Sequence, residues 1–257
     1  MRKFILYFLL VFLFAAVATF SYGFLNGEKI RSFAGQVSQI QAKHNLALQI
    51  EKIEASFRNN SKKEISQIRD ESKQFSAELE AIINEAEAAK KEVASLNAPR
   101  MAEDTKELAE NYYSKLAWEA TDLKGIIDYK NQIFEVSAVF GEVEENVSLD
   151  EMKNIIAQAR ETGSKVNVDV LPQSLQLEAQ ALKESMNSFL IKIEDVAAMK
   201  TENMSDLDAA HEDFAAKEGQ YFAAEKKYIF GMENLDTIEN MIFSDLERLS
   251  RVKFSIK

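Results

Sequence analysis

The chain has 257 residues, of which 46% are hydrophobic and 28% charged, with only eight glycines, two prolines and no cysteine. That profile of long helices and few turns argues against a β-rich or loop-rich enzyme, and the missing cysteines rule out disulfide staples, thiolate metal ligation and thiol catalysis. The formal charge of -11 becomes -13 once Arg2 and Lys3 are set aside, which disfavours nucleic acid and anionic lipid as partners of the body.

Met1, Arg2 and Lys3 precede a run from Phe4 to Leu25 that carries no charge and is interrupted only by Thr19, Ser21 and Gly23. About 20 apolar residues at 1.5 Å each cross a hydrocarbon core of roughly 30 Å, so the run predicts a membrane anchor. Arg2 and Lys3 keep its start in the cytoplasm and send the remainder outside. The competing expectation is a cleaved signal peptide, with Ala16-Val17-Ala18 or Ser21-Tyr22-Gly23 as the cleavage site and a secreted body. No cysteine follows the run, so attachment through a lipidated cysteine is excluded.

From Glu28 onward apolar residues recur at three and four, which predicts a helical body. Ile30, Phe33, Val37 and Ile40 form one seam. Leu46, Ile50, Ile53 and Phe57 form a second in shifted phase, as in a coiled-coil-like stalk over 26–60. After Asn59-Asn60-Ser61, a heptad seam runs through Ile65, Ile68, Ser72, Phe75, Leu79, Ile82, Ala86, Ala89, Val93 and Leu96 until Asn97-Ala98-Pro99 stops it. A helix from Met101 to about Glu145 follows on Leu108, Tyr112, Leu116, Ala120, Leu123, Ile126, Tyr129, Ile133, Val136, Phe140 and Val143. The short connection makes the two helices antiparallel neighbours.

Ser148-Leu149-Asp150-Glu151 reads as a capping box opening a short helix that Thr162-Gly163 would end. Val166, Val168 and Val170 alternate with polar residues over 165–171, and Val252, Phe254 and Ile256 do so at the C-terminus. Strand periodicity predicts that the two segments pair as a small β-ribbon, with two extended tails as the alternative. Between them lies a second hairpin. Its first arm carries Leu175, Ala179, Leu182, Met186, Phe189, Ile193 and Val196, and one longer arm begins near Ser205 and carries Leu207, Phe214, Tyr221, Tyr228, Met232, Leu235, Ile242, Leu246 and Leu249.

The chemistry is sparse. With His44 and His211 as the only histidines, a multi-histidine metal site within one chain is impossible, and neither Gln41-Ala42-Lys43-His44 nor Asp208-Ala209-Ala210-His211 supplies the Glu-x-x-His motif of a dimetal bundle. No phosphate loop, nucleophile elbow or zinc-binding helix motif is present, so no enzyme, cofactor or metal is expected.

The candidate polar cluster is His211, Glu218 and Glu225, which fall at seam positions among Phe214, Tyr221 and Tyr228. They either converge inward on a ligand or cation, with hydroxyls from Tyr112 or Tyr113, or drift to solvent beside Lys226 or Lys227. Trp118, with Tyr112 and Tyr113 within two turns before it, is either a recognition patch or core packing, and aromatics at helical spacing ordinarily bury their area. Asn59, Asn146 and Asn203 head Asn-x-Ser sequons whose serines also serve as helix caps.

The expected fold is all-α: an N-terminal transmembrane helix or signal peptide over 1–25, a helical stalk over 26–60, a first hairpin plus short helix over 61–162, and a second hairpin over 163–257. The hairpins would form an elongated antiparallel four-helix bundle with the ribbon attached. The expected function is a noncatalytic extracytoplasmic scaffold or interaction protein, anchored through residues 4–25 and binding a protein partner or itself. A ligand-binding, sensor-like helical bundle is the alternative.

Overall fold

The computed structural model describes residues 26–46, 49, 50, 52, 53, 55, 65–141, 148–198, 204–232 and 235–251, all of them in helices, turns or short connections. Among these residues no helix is long and apolar enough to cross a membrane, and there is no strand. The run Phe4–Leu25, the C-terminal segment 252–256 and the asparagines of all three sequons lie outside the described residues.

The helices are α1 (26–43), α2 (Ile65–Ser95), α3 (Glu103–Gly141), α4 (Leu149–Ser164), α5 (Gln176–Ala197), α6 (Met204–Phe230) and α7 (Leu235–Ser250). They belong to two compact units: Met1–Glu51, Ile82–Trp118 and Asn234–Lys257 in the first, Lys52–Ala81 and Glu119–Glu233 in the second.

In the first unit the predicted seam of α1 is core: Ile30, Phe33, Val37 and Ile40 are buried, as are Leu46 and Ile50 beyond it. Ile82, Ala86, Ala89 and Val93 of α2 are buried too, and so are Ala109, Tyr112, Tyr113 and Leu116 of α3. The α2–α3 turn is tied by Lys106, whose Nζ donates to the carbonyls of Ala94 at 2.6 Å and Leu96 at 2.8 Å. These are C-terminal carbonyls that the helix itself leaves unpaired. Helix α7 closes this unit on Leu235, Ile242, Leu246 and Leu249.

In the second unit α2 and α3 run antiparallel, because Glu80 meets Lys124 at 3.6 Å, Ser76 meets Asp128 at 2.5 Å and Lys73 meets Glu135 at 2.9 Å. Helix α5 packs on α4 through Arg160 with Glu194, and on α6 through Ser185 with Asp213 and the stacked rings of Phe189 and Phe214. Their core joins Ile126, Tyr129 and Val136 to Ala159, Leu182, Met186, Leu190 and Tyr221.

The capping box forms as predicted: Glu151 N donates to Ser148 Oγ, and Ser148 N donates to Glu151 Oε2 at 2.9 Å. These bonds hold the Glu151 carboxyl below its ordinary range.

Three expectations are corrected. The segment 165–171 is no strand; Val168–Val170 is a 3₁₀ turn capped by Asn167, whose side chain accepts from Asp169 N. Its valines do not share a buried face, since Val166 is buried while Val170 is 36% exposed. The alternation was therefore a local accident rather than a pleat.

Gly163 does not end α4 but lies inside it, buried, with Asn187 Oδ1 and Met186 Cε of α5 at 2.9 and 3.3 Å from where a Cβ would stand. It is a point of close helix approach. The long second arm is two helices, because α6 stops where Gly231 N donates to the carbonyls of both Lys227 and Tyr228, and α7 restarts at Leu235.

Candidate functional site

The most unusual chemistry in the second unit is a polar layer between α3 and α6. Asp122, Tyr129 and Lys130 come from α3, and Tyr221, Glu225 and Tyr228 from α6. Residues four and seven apart on a helix share a face, which aligns Tyr221, Glu225 and Tyr228 on α6 and Asp122 with Tyr129 on α3; Lys130, next to Tyr129, reaches the layer with its long side chain. Asp122 and Glu225 are both buried, although carboxylates rarely are without a partner.

Each carboxylate has one. Lys130 Nζ donates to Glu225 Oε1 at 2.5 Å and lies 5.5 Å from the ring centroid of Phe222. The Tyr228 hydroxyl donates to Asp122 Oδ2. Burial pushes the Glu225 carboxyl upward, and the charge and hydrogen bond of Lys130 pull it part of the way back. Burial raises Asp122 likewise, opposed by the bond from Tyr228. The hydroxyls of Tyr129, Tyr221 and Tyr228 are all pushed up, in each case chiefly by burial. All three stay neutral phenols rather than phenolate bases, and Tyr129 and Tyr228 act as donors.

Tyr129 and Tyr221 pack with centroids 5.1 Å apart, and Tyr129 Oη donates to the Ala179 carbonyl at 3.0 Å. Two buried polar atoms in the layer have no hydrogen-bond partner among the described residues: the Tyr221 hydroxyl and Glu225 Oε2. An unsatisfied buried group costs about 1–3 kcal/mol. Tyr221→Phe should therefore stabilise the second unit by up to about 1 kcal/mol in urea unfolding, whereas Tyr129→Phe, which loses a made bond, should destabilise it by a similar amount.

The cluster His211, Glu218 and Glu225 does not assemble as one site. Seven residues separate each from the next, about 10.5 Å along the helix. His211 is exposed against Phe189, with ring centroids 5.5 Å apart, Glu218 is half-buried, and only Glu225 enters the layer. The solvent-facing reading fails for Glu225, which is buried on Lys130 rather than placed beside Lys226 or Lys227. Its aromatic neighbour on α3 is Tyr129, not Tyr112 or Tyr113, which lie edge to face in the first unit. Among the described residues no three His, Asp or Glu side chains converge as metal ligands.

The other histidine holds a second polar node, in the first unit. His44 is buried just past α1, with Nδ1 3.0 Å from Glu85 Oε1 and Nε2 3.4 Å from Glu92 Oε1. Lys43 Nζ donates to the same Glu92 oxygen at 2.5 Å, and that bond is the main reason Glu92 is held below its ordinary range. The two glutamates stand on opposite edges of the imidazole, so they cannot share an ion bound through one ring nitrogen. Their geometry docks the end of α1 on α2. Sequence reasoning missed this node; its trace is the seven-residue spacing of Glu85 and Glu92 beside Ala86, Ala89 and Val93.

The expectation of a buried tryptophan is overturned. Trp118 is 57% exposed, while Tyr112 and Tyr113 before it are core. Seam spacing placed Tyr112 in the core but did not include Tyr113, and Trp118 faces away from Tyr112, since six residues turn the direction by about 240°. No protein-family model matches the chain, and no curated protein and no solved structure is significantly similar to it.

Proposed function

We propose that the chain is a noncatalytic scaffold or interaction protein on the extracytoplasmic face of a membrane, anchored once by Phe4–Leu25. Its helix surfaces bind a protein partner or a second copy of the chain. The two hairpins, α2 with α3 and α5 with α6, are read as an antiparallel four-helix bundle that presents those surfaces.

The observation that carries this reading is the exposure of four large aromatic side chains on helices. Phe222 and Phe230 are 46% and 63% exposed in the second unit, and Trp118 and Phe243 are 57% and 50% exposed in the first. Aromatics are enriched in interface cores because each buries a large area on docking at small entropic cost. The buried carboxylates Asp122 and Glu225, engaged by Tyr228 and Lys130, fit a structural role.

A photo-crosslinking amino acid placed at Trp118, Phe222, Phe230 or Phe243 in intact cells tests the reading. Adducts are expected at one or more of these sites and not at Lys91 of α2, whose side chain is 79% exposed. The adduct mass separates a second copy, 29.1 kDa heavier, from another protein. Alanine at the crosslinking aromatic should weaken the contact by about 2 kcal/mol or more while changing folding stability by no more than about 0.5 kcal/mol. No adduct at any of the four sites would sink the proposal.

A further inference from the structure

In the first unit, the start of α1 and the α2–α3 turn enclose a groove of about 890 Å³. That lies within the range of roughly 300–1,000 Å³ typical of small-molecule sites. Its floor is apolar, with Ile30 and Phe33 buried, and Met101 stands 63% exposed at its edge. Among the described residues two cations, Lys29 and Arg100, line it, and no aspartate or glutamate does. In a chain of formal charge -11 such a lining is uncommon, and Glu28, Glu103 and Asp104, the nearest acids in sequence, are absent from it.

The helix termini add little of either sign. The long helix α3 begins just after Arg100 and Met101, and the partial positive charge of its N-terminal end is offset by Glu103 and Asp104 in its first turn. The opposing C-terminal end of α2 is blunted, because Lys106 already holds the carbonyls of Ala94 and Leu96.

Position identifies the occupant. The uncharged run ends at Leu25, and Asn26, the next residue, already lines the groove. Four residues lead from Leu25 to Lys29, about 6 Å if helical and at most about 14 Å if extended. The headgroup layer on each side of a bilayer is about 5–7 Å deep. A span ending at Leu25 therefore holds Lys29 at or just beyond the phosphates. Of the acidic residues, Glu28, Glu103 and Asp104 are close in sequence but outside the lining, and those more than about 8 Å away are largely screened at physiological salt.

We propose that this groove binds the headgroup of an anionic phospholipid in the membrane entered by Phe4–Leu25, with Lys29 and Arg100 on the phosphate and Met101 at the level of the upper acyl chain. The proposal rests on the anchored reading above. It refines the sequence-level expectation that net charge keeps anionic lipid away: the body is repelled, and the anchored end is not.

The absence of cysteine permits a single dye at Ala94→Cys, exposed beside the groove but not lining it. The full chain is reconstituted into phosphatidylcholine vesicles containing about one-third phosphatidylglycerol. Quenching is then compared between headgroup nitroxides carried on the anionic and on the zwitterionic lipid. Each surface cation contributes about a fivefold preference, so quenching by the anionic quencher should be severalfold stronger. In Lys29→Gln/Arg100→Gln that ratio should fall to near one; both side chains are exposed, so the fold is unaffected.

Flotation of the same vesicles after an alkaline wash reports the anchor separately. Chain that fails to float overturns the anchored reading and this proposal with it. Chain that floats but shows a ratio of one, or a ratio that survives the double substitution, overturns this proposal alone.

Discussion

Replacing Lys130 with methionine is expected to destabilise the second unit by about 3–5 kcal/mol at pH 8, the usual cost of leaving a buried charge without its partner. Glu225 is 6% exposed, Lys130 Nζ is 2.5 Å from its Oε1, and its other oxygen has no hydrogen-bond partner among the described residues. Methionine keeps most of the lysine stem's packing, so the measured loss is chiefly that of the charge. The contact of Lys130 with Phe222 adds a smaller, pH-independent term of about 0.5 kcal/mol.

The pH dependence separates this mechanism from simple loss of packing. Burial raises Glu225 above its unfolded value, so the folded state takes up its proton at higher pH than the unfolded chain does. Stability from such a group is fully present below the unfolded pKa and is lost as pH rises through the folded one. Lys130 opposes the rise, and removing it carries the folded pKa further up and lengthens the window over which stability is lost. The deficit of Lys130→Met relative to the native chain should therefore shrink as the pH falls from 8 to 5, because Glu225 takes up its proton in the variant at higher pH than in the native chain. Lys130→Met/Glu225→Gln should recover most of it at pH 8. Urea unfolding of the native chain and both variants at the two pH values decides the matter; a deficit independent of pH, or one that the double variant leaves in place, contradicts it.

That pair also marks where the sequence stops being legible. Helical periodicity reported most of the buried faces: Leu79, Ile82, Ala86, Ala89 and Val93 of α2 and Ala179, Leu182 and Met186 in α5 are core, while further along α5 it named Phe189, which is half-buried, and missed the buried Leu190. The Ser148–Glu151 box was legible because capping is local, with donor and acceptor three residues apart. What a buried face meets is not local. Glu225 stood out in the sequence as a carboxylate on a seam, but its partner lies 95 residues earlier.

Lys130 gave no warning because α3 is buried well beyond one stripe. Glu119, Asp122, Ile126, Ile127 and Tyr129 are all buried, so a single-seam reading misjudges that helix. The same limit explains Trp118: residue type predicted burial, while its angular position on α3 placed it outward. His44 was read only against metal motifs, and its partners Glu85 and Glu92 are contacts that only the fold brings together.

Gly125→Ala is the second large effect expected, and its sign runs against helix propensity. In an exposed helix interior, alanine for glycine is worth about 1 kcal/mol of stabilisation. Gly219 of α6 is such a position, exposed and with nothing within 4 Å of an added Cβ, so Gly219→Ala should stabilise by about that amount.

Gly125 is buried in the middle of α3, and a Cβ there would collide with the Val170 carbonyl oxygen, with the carbonyl carbon 3.1 Å away. The obstacle is backbone and cannot rotate aside. It belongs to the 3₁₀ turn Val168–Val170, which is fixed on both sides: ahead of it Asn167 N donates to Gln132 Oε1 and Lys183 Nζ to the Val166 carbonyl, each at 2.6 Å, and after it Gln176 Nε2 donates to the Leu171 carbonyl at 2.9 Å. Relief requires the turn to lift from α3, which would expose Leu171 and Val166, each buried at present. Partial exposure of two such side chains, at about 1.5–3 kcal/mol for complete transfer of each, gives an expected loss of roughly 2–4 kcal/mol. Amide exchange localises it: protection of Leu171 N, which donates to the Val168 carbonyl at 3.1 Å, should fall in Gly125→Ala and be unchanged in Gly219→Ala. Equal stabilisation by the two alanines would mean that the turn does not press on α3, and that the departure of 165–171 from its strand-like pattern has another cause.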